Sequence, residues 1–226
     1  MSEKLNPQVW RGLYARRPAW ILGAGPSLLH ADPEPMAGGL VIAVTDTIEA
    51  PAMLGFPPAE YWLFMDDGFT KGFDVRKRPE PIKLWCNTFP ACHLLSQGLT
   101  PGGTGRGMTF LEPQVGTCRE MSARDTQLNS VGSSVGMALN LAVIMGCSPI
   151  SLVGVDYCSD SAGLARWSDQ PGTVDPDAPC YGHSREFLHA AISHLRESGV
   201  EVTVESAKWL LEPHVPFWLR KPGKAG

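Results

Sequence analysis

The chain has 226 residues, 43% of them hydrophobic and 19% charged, with a formal net charge of −4. This composition supports a packed core and excludes bulk disorder, and the acidic balance gives no general attraction to duplex nucleic acid or to an anionic membrane surface. With 24 Gly and 20 Pro the protein should be rich in loops, and its length suits one domain with extensions.

The opening stretch, MSEKLNPQVWRGLYARRPAW, has no apolar signal-peptide core, and no later run is long and apolar enough to cross a membrane. Residues 1–18 read as an N-terminal extension, 19–218 as one domain and 219–226 as a solvated tail. Cys86, Cys92, Cys118, Cys147, Cys158 and Cys180 form no CxxC pair, so zinc spacing is absent and reduced thiols in a cytoplasmic protein are expected.

Short apolar runs predict strands at 20–23, 40–45, 61–65, 82–86, 150–155 and 200–204. Their continuous apolar character, without strict alternation, fits strands covered on both faces. Residues 134–146 are apolar nearly all round, which predicts a buried helix. A second helix over 184–198 carries Phe187, Leu188, Ala191, Ile192 and Leu195 at helical spacing, with Gly199 as its C-terminal cap. Residues 87–132, with PGGTGRG at 101–107, and 159–182 read as lid loops. Strand–helix–strand alternation predicts an α/β fold: a single Rossmann-like, doubly wound, mostly parallel sheet with helices on both faces and a small lid region. Ligands of such sheets sit beyond the carboxyl ends of the strands, so residues just after each strand rank first.

Gly23, Gly25, Pro26 and Ser27 follow the first strand. Small residues there admit a ligand close to the backbone, and Pro26 can start a helix whose free N–H groups attract phosphate. The motif is neither GxGxxG nor a P-loop, and a tight strand-to-helix turn is the competing interpretation. Ser133 and Ser134 precede the buried helix and offer a second anion site or simple capping. Asp46, after the second strand, stands where acidic residues often meet ribose hydroxyls. Asp66, with Asp67, follows the third strand and can bind Mg²⁺ or hydrogen-bond a ribose or base. Asp156, after the fifth, can order a loop or touch substrate. Tyr181-Gly-His183-Ser opens the last helix. The positive end of the helix dipole keeps an imidazole there neutral near neutral pH, so His183 can act as a general base, with capping or packing as the alternative. His189 and His194 share no metal-binding face with it. No GxSxG elbow and no Cys–His–Asn order is present.

The segments ILGAGPSL, VIAVTD, YWLFMDD, SSVGMALNLAVIMGCSPISLVGVDY, YGHS and ESAKWLL, in that order over about residues 19–214, resemble the bacterial sialyltransferases of lipo-oligosaccharide synthesis (glycosyltransferase family 42). They also resemble the 6-hydroxymethylpterin diphosphokinase-like superfamily, which includes phage proteins. The first resemblance implies a CMP-activated sugar donor, metal-independent inverting transfer to an acceptor hydroxyl, and a lid over the site. It implies that His183 is the general base, that Ser133 and Ser134 contact the donor, and that Gly25, Pro26 and Ser27 belong to the first donor loop. Ala24, Asp46 and Asp66 stand where that family has asparagines, Val131 where it has an arginine, and Cys158 where it has a tyrosine. Lys71, Arg106, Arg166 and Tyr181 are candidates to replace the lost phosphate contacts.

The leading expectation is therefore a sialyltransferase-like glycosyltransferase with no cofactor, acting on a nucleotide sugar and an acceptor. Gly23, Gly25, Pro26, Ser27, Asp46, Asp66, Ser133, Ser134, Asp156 and Tyr181 would bind the donor. The alternatives are a diphosphokinase using Mg²⁺ and a non-catalytic nucleotide-binding module. Trp209, Phe217 and Trp218 are expected to close the core against the sheet, with pairing to a second subunit as the alternative.

Overall fold

The computed structural model describes residues 6–64, 82–86, 108–111, 113–114, 120–131, 133–156 and 182–205; of 82–86, 108–111, 113–114 and 182–184 it describes the backbone alone. The main sheet contains β1 (Ala19–Leu22), β2 (Leu40–Val44), β3 (Tyr61–Phe64), β4 (Ile82–Cys86), β5 (Met108–Leu111), β8 (Ile150–Val153) and β9 (Val202–Val204). Its order is β5-β4-β3-β2-β1-β8-β9, and every pairing is parallel. A separate short pair joins β6 (Pro113–Gln114) to β7 (Leu128–Asn129).

Every residue of β1, β2, β3 and β8 is buried. Successive side chains still alternate between two cores, as strand geometry requires. Ile21, Ile42, Tyr61 and Leu152, which lie in register across the four strands, face α2 (Ser134–Ile144) and α3 (Gly182–Glu197). Leu22, Ala43, Trp62 and Val153 face the other way. The cover there is short 3₁₀ turns, which contribute Leu28, Met36 and Ile48, and α1 (Ala50–Leu54). Among the described residues the helices are thus unequal: the two long ones share one face.

Residues 135–144 of α2 are all buried. One side of the helix meets β1, β2 and β3, and it also touches β7 and the turn Pro7–Trp10. The N-terminal segment, expected as an extension, is part of this core through Trp10 and Tyr14. Its backbone also closes the end of α2. Gly12 N–H donates to the Ile144 carbonyl (3.0 Å), Tyr14 to Met145 (3.0 Å) and Arg16 to Gly146 (2.8 Å). Those carbonyls have no partner within the helix, so the segment satisfies groups that would otherwise be stranded. The stretch expected as a lid likewise contributes a structural element, because Met108–Leu111 is the edge strand of the main sheet. Among the described residues no helix is long and apolar enough to cross a membrane.

At the amino ends of the strands, Arg17 donates to Glu60 and to the carbonyls of Gly38 and Gly39, and the Tyr14 and Tyr61 hydroxyls lie 3.3 Å apart. Burial, reinforced by Glu60, outweighs the Arg17 charge and pushes the Cys147 thiol up to about 12. Burial also raises the Tyr61 hydroxyl. Thiols and phenols of an unfolded chain lose their protons near about pH 8.5 and 10, so above these values the folded state binds more protons. This contribution to stability is fully present below about pH 8.5 and declines as pH rises toward the folded values. Accordingly, iodoacetamide at pH 8.5 should leave the Cys147 peptide unlabelled in native protein and label it in urea, as read by mass spectrometry. Equal labelling in both would contradict the buried, protonated thiol.

Candidate functional site

β1 pairs with β2 on one side and β8 on the other, and the chain builds outward from it in both directions. The carboxyl ends of β1 and β8 therefore flank the topological switch point, where open α/β sheets leave a crevice. α2 leads into β8 and α3 into β9, both parallel to β1, so each helix runs back against the strands and begins at this same carboxyl edge.

The loops after β1 and β8 are stitched together. Gly23 N–H donates to the Val153 carbonyl and Gly25 N–H to the Gly154 carbonyl, each at 2.7 Å. The Asp156 carboxylate accepts the Ser27 N–H at 2.7 Å and the Ser27 hydroxyl at 2.6 Å. Asp156 is only 3% exposed, so these charge-assisted bonds replace much of the water it lost. The glycines permit the contact. A Cβ on Gly23 would lie 2.5 Å from the Gly154 carbonyl oxygen, and one on Gly25 would collide with the Asp156 carboxylate. Gly154, at φ +68°, faces the Gly23 carbonyl just as tightly.

The form of the first loop differs from the one expected. The helix expected at Pro26 is a 3₁₀ turn of five residues, Pro26–His30. Ser27's N–H, one of the groups expected to attract phosphate, is engaged together with its hydroxyl by the Asp156 carboxylate. Asp156 is thus a loop-ordering residue, one of the two roles weighed from sequence.

Asp46 lies just past β2 and is 7% exposed. It follows Thr45, a β-branched residue held at φ +51°, a backbone region such residues avoid. The Trp62 indole donates to the Thr45 carbonyl at 2.7 Å, and the Thr45 hydroxyl donates to Asp46 at 3.0 Å. Nearby, the buried Thr47 hydroxyl accepts the Val44 N–H at 2.9 Å and lies 2.9 Å from the Leu22 carbonyl oxygen, which ties the ends of β1 and β2 together.

Ser133 is the N-cap of α2, with an extended backbone and an Oγ that accepts the Gly136 N–H at 3.1 Å; Ser134 is the first helical residue. Two residues missed by sequence reasoning shape this entrance. Asn129 and Asn140 are fully buried. Asn140 Oδ1 accepts the Asn129 N–H at 2.8 Å, and Asn129 Oδ1 accepts the N–H of Val131 at 3.2 Å. The available signal was Asn140 itself, a lone carboxamide inside an apolar helix.

His183 is the second residue of α3, and its side chain lies outside the described residues. Asp66 and Tyr181 also lie outside them, as do Lys71, Arg106, Cys158, Arg166, Trp209, Phe217 and Trp218. Among the described residues no group of three or more His, Cys, Asp or Glu could hold a metal ion.

No protein-family model matches the sequence, and no curated protein is significantly similar to it. Solved structures do share its fold. The MAf glycosyltransferase from Magnetospirillum magneticum AMB-1 superimposes with a TM-score of 0.52 at 14% identity, over 85% of this chain and 34% of that one. The present chain thus spans about a third of that protein's length. A mammalian sialyltransferase, solved in complex with Gal-beta-1-3GalNAc-ortho-nitrophenol, superimposes with a TM-score of 0.51 at 11% identity, over 91% of this chain and 75% of that one. The fold is therefore the Rossmann-like α/β architecture seen in glycosyltransferases.

Proposed function

We propose that the chain is a glycosyltransferase that moves a sugar from a nucleotide-sugar donor, CMP-sialic-acid-like by its sequence resemblance, to an acceptor hydroxyl. The observation that carries this reading is the carboxyl edge itself. The stitched β1 and β8 loops, Asp46, and the starts of α2 and α3 all lie on the ligand-binding edge of a fold shared with glycosyltransferases.

In this reading Asp46 meets the ribose or base, beside the loop of Gly23 and Gly25. Because Ser27 is engaged by Asp156, support for the leaving phosphate falls to the first turn of α2, where Ser133 caps the helix and the N–H groups that follow, from Ser134 on, have no preceding helical carbonyl to reach. His183 takes the acceptor hydroxyl's proton. The acceptor oxygen bonds to the anomeric carbon, and the bond from that carbon to the phosphate oxygen breaks, its electron pair leaving with the nucleotide. Asp66 and Tyr181 complete the proposed donor set. The proposal invokes no metal.

A thermal-shift screen of CMP, other nucleotides and their sugar conjugates, with and without Mg²⁺, tests this reading. A nucleotide present at one hundred times its Kd stabilises the native state by about 2.7 kcal/mol, which corresponds to about 5–10 °C in Tm for a chain of this size. CMP or a CMP-sugar should give such a shift without Mg²⁺. A shift that requires Mg²⁺ and ATP would favour the diphosphokinase alternative. No shift with any nucleotide would remove the proposal.

A further inference from the structure

We infer that Asn140, which lies well away from the helix start it controls, is a positioning residue for the candidate site. It acts through Asn129 on the turn that leads into α2.

A carboxamide buried in an apolar helix is unfavourable unless both its ends are hydrogen-bonded. Neither end of Asn140 serves its own helix. Oδ1 accepts the Asn129 N–H, and Nδ2 donates to Asp125 Oδ2, both at 2.8 Å. A backbone N–H can only donate and a carboxylate can only accept, so these partners require a side chain that offers one acceptor and one donor. Leucine satisfies neither, and aspartate would set a second carboxylate against Asp125.

The chain of bonds continues in both directions. Toward the site, Asn129 Oδ1 holds the N–H of Val131, a fully buried β-branched residue at φ +39°. That conformation persists only where surrounding contacts impose it. Gly136 adds to the constraint, since a Cβ there would collide with the Ser130 carbonyl and the Val131 side chain. Away from the site, the same Asp125 Oδ2 also accepts the Ser122 N–H at 2.9 Å. Gln8 Nε2 donates to the carbonyls of Ala123 (3.0 Å) and Asp125 (2.6 Å). The relay thus runs from the N-terminal segment through the middle of α2 to the turn that aims its first N–H groups. Its bearing on ligand binding rests on the function proposed above; its bearing on the turn does not.

The test uses the full chain with Asn140→Leu, Asn140→Asp and the milder Asp125→Ala, beside Ile192→Val as a core variant with no bond to the turn. Amide hydrogen exchange and CMP titration are the readouts. Losing one such bond is expected to speed exchange at Asn129 and Val131 about tenfold relative to the amides of β1 and β2. CMP affinity should fall by a similar factor, and Ile192→Val should change neither selectively. Unchanged relative exchange at Asn129 and Val131 in a folded Asn140→Leu overturns the inference; if Asn140→Leu does not fold, Asp125→Ala decides. A wild type that fails to bind CMP counts against the proposed function only, because the exchange measurement still tests the relay.

Discussion

Replacing His183 with alanine is expected to lower turnover of a nucleotide sugar by about 10²–10⁴, the usual contribution of one positioned proton acceptor. The affinity for the donor nucleotide should stay within about twofold, because in the proposed mechanism the imidazole would act on the acceptor's proton while other residues of the carboxyl edge would hold the nucleotide. The two quantities must be measured separately: kcat from product formation and Kd from titration in the absence of acceptor. A structural histidine would give another pattern, with Tm and donor affinity falling together while turnover tracked the folded fraction. The fold explains why this position is worth testing. α3 begins at Gly182, and the parallel β8–β9 crossover brings that end to the edge where the β1 and β8 loops meet. Unchanged kcat in a folded His183→Ala protein would end the assignment.

Much of the fold was legible in the sequence because the central strands carry a strong, local signal. LVIAV and YWLF are apolar without interruption since both faces of the sheet are covered, and each segment reports that in its own composition. α2 is legible for the same reason. The N-terminal segment is not: Trp10 and Tyr14 join the core without a repeating pattern, and the backbone N–H groups of Gly12, Tyr14 and Arg16 that close α2 are not encoded by side-chain pattern. β5 is four residues long and follows a glycine-rich stretch, too short to establish a period. The glycine loop was read as a place where a ligand could come close to the backbone. What approaches, however, is Gly154 and Asp156, which lie 129 residues beyond Ser27 in the latter case, so no local motif could name the partner. Asn140 shows the same division: its polarity is visible in sequence, while its partners depend on how the chain folds back.

The close approach at Gly25 leads to the largest expected effect on stability. Gly25 has an ordinary backbone conformation, φ −73°, so alanine there is opposed by lack of space and not by backbone strain. Its Cβ would collide with the Asp156 carboxylate and come within 2.8 Å of the Asp156 Cβ. The aspartate must then move away from Ser27. It would lose both hydrogen bonds while still buried, in addition to the cost of overpacking. Overpacking costs about 1–3 kcal/mol, and leaving a buried charged group short of partners costs at least about as much. Gly25→Ala should therefore destabilise by about 3–5 kcal/mol, a large part of a typical domain's stability. Urea unfolding can measure this, and a double-mutant cycle with Asp156→Gly identifies the cause. Asp156→Gly removes both the carboxylate and the Cβ that obstruct the new methyl. Adding Gly25→Ala to that background should then cost under about 1 kcal/mol, a coupling far larger than distant sites show. If the two changes instead add, the glycine serves something other than Asp156, and close packing at Gly25 is not what joins the β1 and β8 loops.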